Sequence, residues 1–250
     1  MKNDLVIPEA LIDALRSSRH VCVLTGSGIS AESGVPTFRD AQTGLWEKYD
    51  PHELATPEAF LRDPELIWKW YRWRRDLVAK VEPNAGHRAL VELQAQVNEF
   101  TLITQNVDGL HQRAGSKDVI EFHGNIFEDR CFVEGCVVED AKGNSNEVPT
   151  CPACGGNLRP GVVWFGEAIP VSALHDATKA ASTCDLFFSI GTSSLVWPAA
   201  GFAETAREAG ARIVEINPNE TPLSNTCDFW FNDTAGSVLP ELLSRLHGAS

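Results

Sequence analysis

Short apolar runs separated by polar, glycine-bearing turns recur along this chain. Residues 21–24 form the first run, a buried strand by its pattern, and it breaks at Gly26-Ser27-Gly28. Further strands are predicted at 100–104, 119–122, 185–191, 212–216 and 228–231. Between them, apolar residues fall at helical spacing over 7–17, 85–96, 172–181 and 198–209, with a last helix ending near residue 246. Strand, polar turn and helix in repeated alternation predict an α/β fold with a doubly wound parallel sheet. Right-handed crossovers place the strand ends on one rim, and Gly26, Gln105, His123, Gly191 and Asn217 all fall there. Ligands of open α/β sheets bind at that rim.

Two stretches interrupt the alternation. The first is loop-like over 44–57 and helical over 57–61 and 64–80. Its centre interleaves Trp68, Trp70, Tyr71 and Trp73 with Arg72, Arg74 and Arg75. Tyr71 and Arg74 are three apart and share a helix face. Taken alone, this is a packed aromatic helix whose arginines are solvated or stacked on tryptophan. The second stretch carries Cys131, Cys136, Cys151 and Cys154, the last pair in a Cys-Pro-Ala-Cys-Gly-Gly knuckle. Four thiolates complete a tetrahedral Zn²⁺ shell with no open position, so the metal expected here is structural. It would hold together a segment too polar to build its own core. After it, residues 162–167 are expected to be a strand that ends in exposed aromatic residues, an edge fit to accept an extended peptide.

Composition narrows the function classes. At 250 residues the chain accommodates one large domain, or a domain with a smaller module. A formal charge of −13 argues against a nucleic-acid partner. No apolar run reaches membrane-spanning length, and the acidic N-terminus has no apolar leader, so no membrane association and a cytoplasmic location are expected. Seven cysteines, four of them clustered, favour metal over disulfides in such a chain.

The rim carries the candidate chemistry. Gly26, Gly28 and Ala31 fit a dinucleotide fingerprint, whose free N–H groups suit a pyrophosphate. A hydride-transfer arrangement needs a full helix, a second strand and an acidic residue about twenty residues on. Here Pro36 intervenes, and Glu47 lies at that distance with no strand before it. A nucleotide site therefore fits better than a dehydrogenase. Gln105, Asn106 and Asp108 follow one strand, His123 another, and Gly191, Thr192 and Ser193 a third.

The stretches TGSGISAESGVPTFR, TQNVDGLHQRAG, EFHGN, LRPGVVWFGE, GTSSLVWPA and INPN, with the four cysteines between the third and fourth, carry a resemblance. In order and spacing the chain resembles the sirtuin family of NAD-dependent protein lysine deacylases over nearly its whole length. The resemblance implies a Rossmann-like NAD-binding domain (1–45, 85–127 and 161–250). A small domain would be built from a helical module (46–84) and a zinc-binding module (128–160). It implies that NAD is consumed, giving nicotinamide, O-acyl-ADP-ribose and free lysine on a protein or peptide substrate, and that zinc is structural. A monomer is expected.

By match to the family motifs, His123 would be the general base and Asn106 would share in catalysis. Gly26, Ser27, Gly28, Ile29, Ser30 and Glu32 would form one wall of the NAD site. Phe38, Arg39 and Trp46 would cover it. Gln105 would face the ribose, and Asn106 and Asp108 the nicotinamide pocket. Gly191, Thr192 and Ser193 would meet phosphate and ribose, while Asn217, Pro218, Asn219 and Ala235 would hold the adenosine end. Val163, Trp164, Phe165 and Gly166 on one side, and Leu195 and Val196 on the other, would flank the substrate peptide.

Two departures stand out: Ser27 replaces the family's usual Ala, and Thr37 its frequent Asp. The second accords with the branch that removes acidic acyl groups, which carries a Tyr-x-x-Arg pair in the helical module. Tyr71 and Arg74 supply that pair. This reverses the solvated reading of the helix for Arg74, a partner for a succinyl, malonyl or glutaryl carboxylate. Arg72 and Arg75 remain surface residues in this reading. The alternatives are a general lysine deacetylase and a mono-ADP-ribosyltransferase on the same scaffold.

Overall fold

The computed structural model describes residues 5–36, 49–139 and 147–248. Strands β1 (His20–Thr25), β2 (Glu99–Thr104) and β3 (Ile120–Glu121) are followed by a separate antiparallel pair, β4 (Gly124–Cys131) and β5 (Leu158–Val162). The chain then returns through β6 (Leu186–Ile190), β7 (Arg212–Ile216) and β8 (Phe229–Phe231). Six strands form one sheet in the order β3-β2-β1-β6-β7-β8, with every neighbouring pair parallel.

The near-continuous apolar strands follow from burial on both faces. Successive side chains of a strand point to opposite faces. Val21 and Val23 of β1 pack with helices α1 (Glu9–Ser17), α6 (Ala85–Gln96) and α10 (Ala235–Gly248). Cys22 and Leu24 face α8 (Val171–Thr183) and α9 (Phe202–Glu208). The Asn84 carboxamide caps α6 by accepting from the backbone of Gly86 and His87, an arrangement worth about 1 kcal/mol.

Strand order reverses between β1 and β6, the switch point where doubly wound sheets bind ligands. The two glycine turns meet there. Gly28 N–H donates to the Gly191 carbonyl at 2.9 Å. A Cβ on Gly28 would lie 2.6 Å from Gly191 Cα, and Gly191 itself sits at φ +60°. Side chains at these positions would drive the two loops apart.

The interrupting stretches share a second core. One-turn helices α3 (Pro51–Leu54) and α4 (Pro57–Arg62) each begin with proline after a capping Asp50 or Thr56, within and just after the segment expected to be loop. Helix α5 (Pro64–Ala79), capped by Asp63, buries Ile67, Trp68, Trp70 and Tyr71 against Ile126, Leu158, Val162 and Trp164. Trp68 Nε1 donates to the Leu158 carbonyl at 2.8 Å. The divisions expected at 127/128 and 160/161 fall inside β4 and β5, which form one two-stranded sheet.

Two expectations for this region are corrected. Arg75 is not a free surface residue. Its guanidinium lies 5.1 Å from the Trp68 ring centroid and donates to the Ile126 and Glu128 carbonyls and to Asp129 (2.7 Å). Arg72 bonds the Glu147 carbonyl. Both lie on the α5 face over Trp68, which is the face turned to the strand pair. The strand expected over 162–167 instead ends at Val162. Trp164 is 2% exposed and Phe165 42%. The indole turns inward because its N–H finds the Tyr71 oxygen under α5.

Candidate active site and metal centre

The rim between β1 and β2 holds a buried polar layer. Ser27, Ile29 and Ser30 lie on the short helix α2 (Ser27–Ala31), which follows β1. Ser30 Oγ donates to Asp108 Oδ2 at 2.7 Å and accepts from Asn106 Nδ2 at 3.0 Å. Asn106 Nδ2 also donates to the Gly26 carbonyl at 3.1 Å. Asp108 Oδ1 accepts from Leu110 N–H at 2.9 Å, at the start of α7 (Leu110–Ala114). Burial pushes the Asp108 carboxyl up, opposed by these two donors and by the Arg74 and Arg113 charges. Gly26, Ser30, Asn106 and Asp108 are thus brought together, from two strand ends.

His123 follows β3. Its Nδ1 lies 3.1 Å from the Gln105 carbonyl. A carbonyl only accepts, so Nδ1 carries the proton and Nε2 is left with its lone pair. Burial lowers its pKa and so favours the neutral ring, while the Gln105 hydrogen bond works in the opposite direction. The next residue must be glycine: Gly124 has φ +78°, and a Cβ there would lie 2.1 Å from the Gly161 carbonyl oxygen. The His123 carbonyl accepts from Val163 N–H at 2.8 Å, which ties this histidine to the expected peptide edge. Gln105, Thr192, Ser194 and Val196 line one cavity between the strand ends.

Other expected NAD contacts are engaged within the protein. Asn217 Nδ2 donates to the Thr192 carbonyl at 2.5 Å, while Oδ1 accepts from Asn219 N–H at 3.2 Å, so this side chain braces two strand-end turns. Glu32 accepts from Gly236 N–H at 2.8 Å, at the start of α10 beside the buried Ala235. Pro218 and Asn219 are exposed and Ser193 half-buried. Leu195 and Val196 are exposed, as is Gly166. Thr37, Phe38, Arg39 and Trp46 lie outside the described residues.

Arg74 and Tyr71 stand one turn apart on α5: Tyr71 is buried in the second core, and Arg74 interacts electrostatically with Asp108 of the rim. The Arg74 guanidinium lies 5.1 Å from the Trp70 ring centroid. Burial lowers its pKa, opposed by electrostatic interaction with Tyr71 and Asp108. Burial likewise pushes the Tyr71 hydroxyl up to about 12, so it is a neutral O–H.

Sequence reasoning missed two histidines behind the rim. His87 is fully buried, accepts from Asn84 N–H through Nδ1, and directs Nε2 at Ser30 Oγ (3.5 Å). His111 Nε2 lies 2.9 Å from Thr25 Oγ1. Burial lowers His87 to about 4 and His111 to about 3, so both are neutral. Their signal was faint: a His at the third position after a cap residue reads as surface unless the facing strand is known.

In the second core, the sulfurs of Cys131, Cys151 and Cys154 lie within 4.8 Å of one another. The exposed Cys136 is not in this close group, but its carbonyl accepts from Cys131 N–H at 2.9 Å. Glu134 N–H points at the Cys131 sulfur (3.3 Å) and Gly156 N–H at that of Cys154 (3.4 Å). Such donors favour thiolates, so the donor set fits a soft cation such as Zn²⁺.

Comparison with known proteins follows the same lines. A family model described as the Sir2 family matches residues 26–198. NAD-dependent protein deacylase 1 of Pseudomonas aeruginosa is 48% identical over 244 residues, covering 94% of this chain and 98% of that protein. NAD-dependent protein deacylase 2 of Pyrobaculum aerophilum is 51% identical over 234 residues, covering 94% of each. A crystal structure of a Sir2 homolog–NAD complex agrees with a TM-score of 0.92 at 42% identity, covering 100% of this chain and 97% of that one. The strand-end polar layer, the His123 geometry and these likenesses converge: the chain belongs to the Sir2 family.

Proposed function

We propose that this chain, an NAD-dependent protein deacylase of the Sir2 family, acts on acyl-lysine in proteins or peptides and prefers acidic acyl groups such as succinyl and malonyl. The observation that carries the preference is the Tyr71/Arg74 face of α5, a neutral hydroxyl one turn from a cation that itself interacts with Asp108 of the rim. An acyl carboxylate gains charge-assisted hydrogen bonds from such a pair, and a neutral acyl group does not.

NAD, when bound, supplies an electrophilic anomeric carbon at its nicotinamide ribose and is consumed. The chain's own groups then have distinct tasks. Asp108 accepts from the carboxamide of the nicotinamide, and Asn106 and Gln105 orient the ribose. His123 Nε2 removes a proton from a ribose hydroxyl, with Nδ1–H held by Gln105. Gly26, Gly28 and Gly191 keep the switch-point loops close enough to share the cofactor. Phe38, Arg39 and Trp46 are proposed to exclude water.

The reading is tested by steady-state kinetics on acetyl-, malonyl-, succinyl- and glutaryl-lysine versions of one peptide. The expected result is a kcat/KM for the acidic groups at least about tenfold above that for acetyl, a margin of about 1.4 kcal/mol. Equal values, or a preference for acetyl, would leave a general deacetylase. Label transfer from NAD to protein with no acyl-lysine present would instead favour a mono-ADP-ribosyltransferase.

Zinc is proposed to sit on Cys131, Cys151 and Cys154, with Cys136 as the fourth thiolate, and to hold the β4–β5 module together without entering the chemistry. Metal analysis is expected to find one zinc per chain. Its removal by a chelator is expected to lower the melting temperature, because metal binding is folding free energy for such a module. Retention of full stability and activity without metal would remove the structural role.

A further inference from the structure

Tyr71 is deeply buried, yet its hydroxyl is only half used. Trp164 Nε1–H donates to the Tyr71 oxygen at 2.8 Å. An indole N–H can only donate, so this bond takes a lone pair of the phenol and leaves the phenol proton to be placed. No acceptor for that proton stands among the described residues. The hydroxyl belongs to the same helix face as Arg74, one turn away.

The indole is itself held from several sides. The Arg159 guanidinium lies 3.4 Å from the Trp164 ring centroid. Arg159 pairs with Glu167 through both nitrogens, one at 2.8 Å, and donates to the Val162 carbonyl at 2.7 Å. Glu167 accepts in turn from Trp164 N–H at 2.7 Å. Arg159 is 9% exposed, so this brace is largely desolvated and rigid. An indole held in this way keeps one lone pair of the phenol oxygen occupied and so restricts the directions in which the O–H can point.

We infer that Trp164 is a positioning residue for acyl-group choice: by filling the Tyr71 oxygen from behind, it commits the Tyr71 O–H to the carboxylate held by Arg74. This rests on the acidic-acyl reading above and adds a residue acting through Tyr71. It differs from the peptide-flanking role expected of Trp164, which would affect all acyl groups alike.

The test is a double-mutant cycle read as the ratio of succinyl to acetyl KM on one peptide sequence. Trp164→Phe removes the N–H, and Tyr71→Phe removes the hydroxyl. Each is expected to raise the ratio about five- to tenfold, within the net value of one ordinary hydrogen bond. The double variant is expected to match Tyr71→Phe alone. Should Trp164→Phe fail to fold, Glu167→Gln loosens the same brace and is expected to move the ratio in the same direction. An effect of Trp164→Phe that persists once Tyr71→Phe is in place, or no change in the ratio, overturns the inference. An enzyme without acidic preference overturns both this inference and the reading beneath it. A preference lost in Arg74→Met yet untouched in Trp164→Phe overturns this inference alone.

Discussion

Replacing His123 by alanine is expected to lower deacylation by about 10²- to 10⁴-fold, the usual contribution of a positioned general base. The size follows from geometry. The Gln105 carbonyl holds Nδ1 at 3.1 Å, so the ring presents one tautomer with Nε2 free. Burial lowers the histidine's pKa from its ordinary value near 6.5, so the base is neutral at neutral pH. The sign of the pH dependence is set accordingly. Protonation removes the base, so kcat/KM falls as pH drops, and the acid limb lies below 6.5 because the pKa is depressed. In His123→Ala that limb should vanish. The measurement is a pH profile of kcat/KM for both proteins, with melting curves to confirm that the variant folds. Wild-type rates in the variant, or a limb above the ordinary histidine value, would remove His123 from this role.

Replacing Arg74 by methionine is expected to lower kcat/KM for succinyl-lysine by about 10- to 150-fold, the equivalent of a hydrogen bond to a charged group worth about 1.5–3 kcal/mol. Methionine keeps an unbranched apolar side chain and deletes the charge, its donors and the guanidinium contact with the Trp70 ring. Acetyl-lysine has no carboxylate to lose, so its kcat/KM should fall far less. Burial already makes the guanidinium costly to hold, and removing it relieves that cost in the unliganded protein. The acyl panel repeated on this variant distinguishes the cases. A variant that keeps the acidic preference would place the selecting group elsewhere.

Much of the site was legible as pattern. Gly26, Gln105, His123, Gly191 and Asn217 each follow an apolar run, and the parallel order of six strands gathers such ends on one rim. Arg75 was not legible in this way. Its spacing from Arg74 placed it off the acyl face, but only the position of β4 turned that other face into a buried contact with Asp129. His87 and His111 escaped for the same reason: their rings lie 4.8 Å apart but come from separate helices, and sequence spacing carries no distance between them.

The parallel α/β sheet, the cysteine knuckles and the glycines of the two turns were written into the chain locally. They depend on interactions within a few residues: side-chain period, turn conformation and ligand spacing. Three-dimensional packing chose which hydroxyl meets which carboxylate, made Asn217 and Glu32 braces between loops, and turned Trp164 inward to Tyr71. Those contacts join residues up to 204 positions apart. No local pattern can name such partners, because a buried polar group must find whichever donor or acceptor the fold brings within reach.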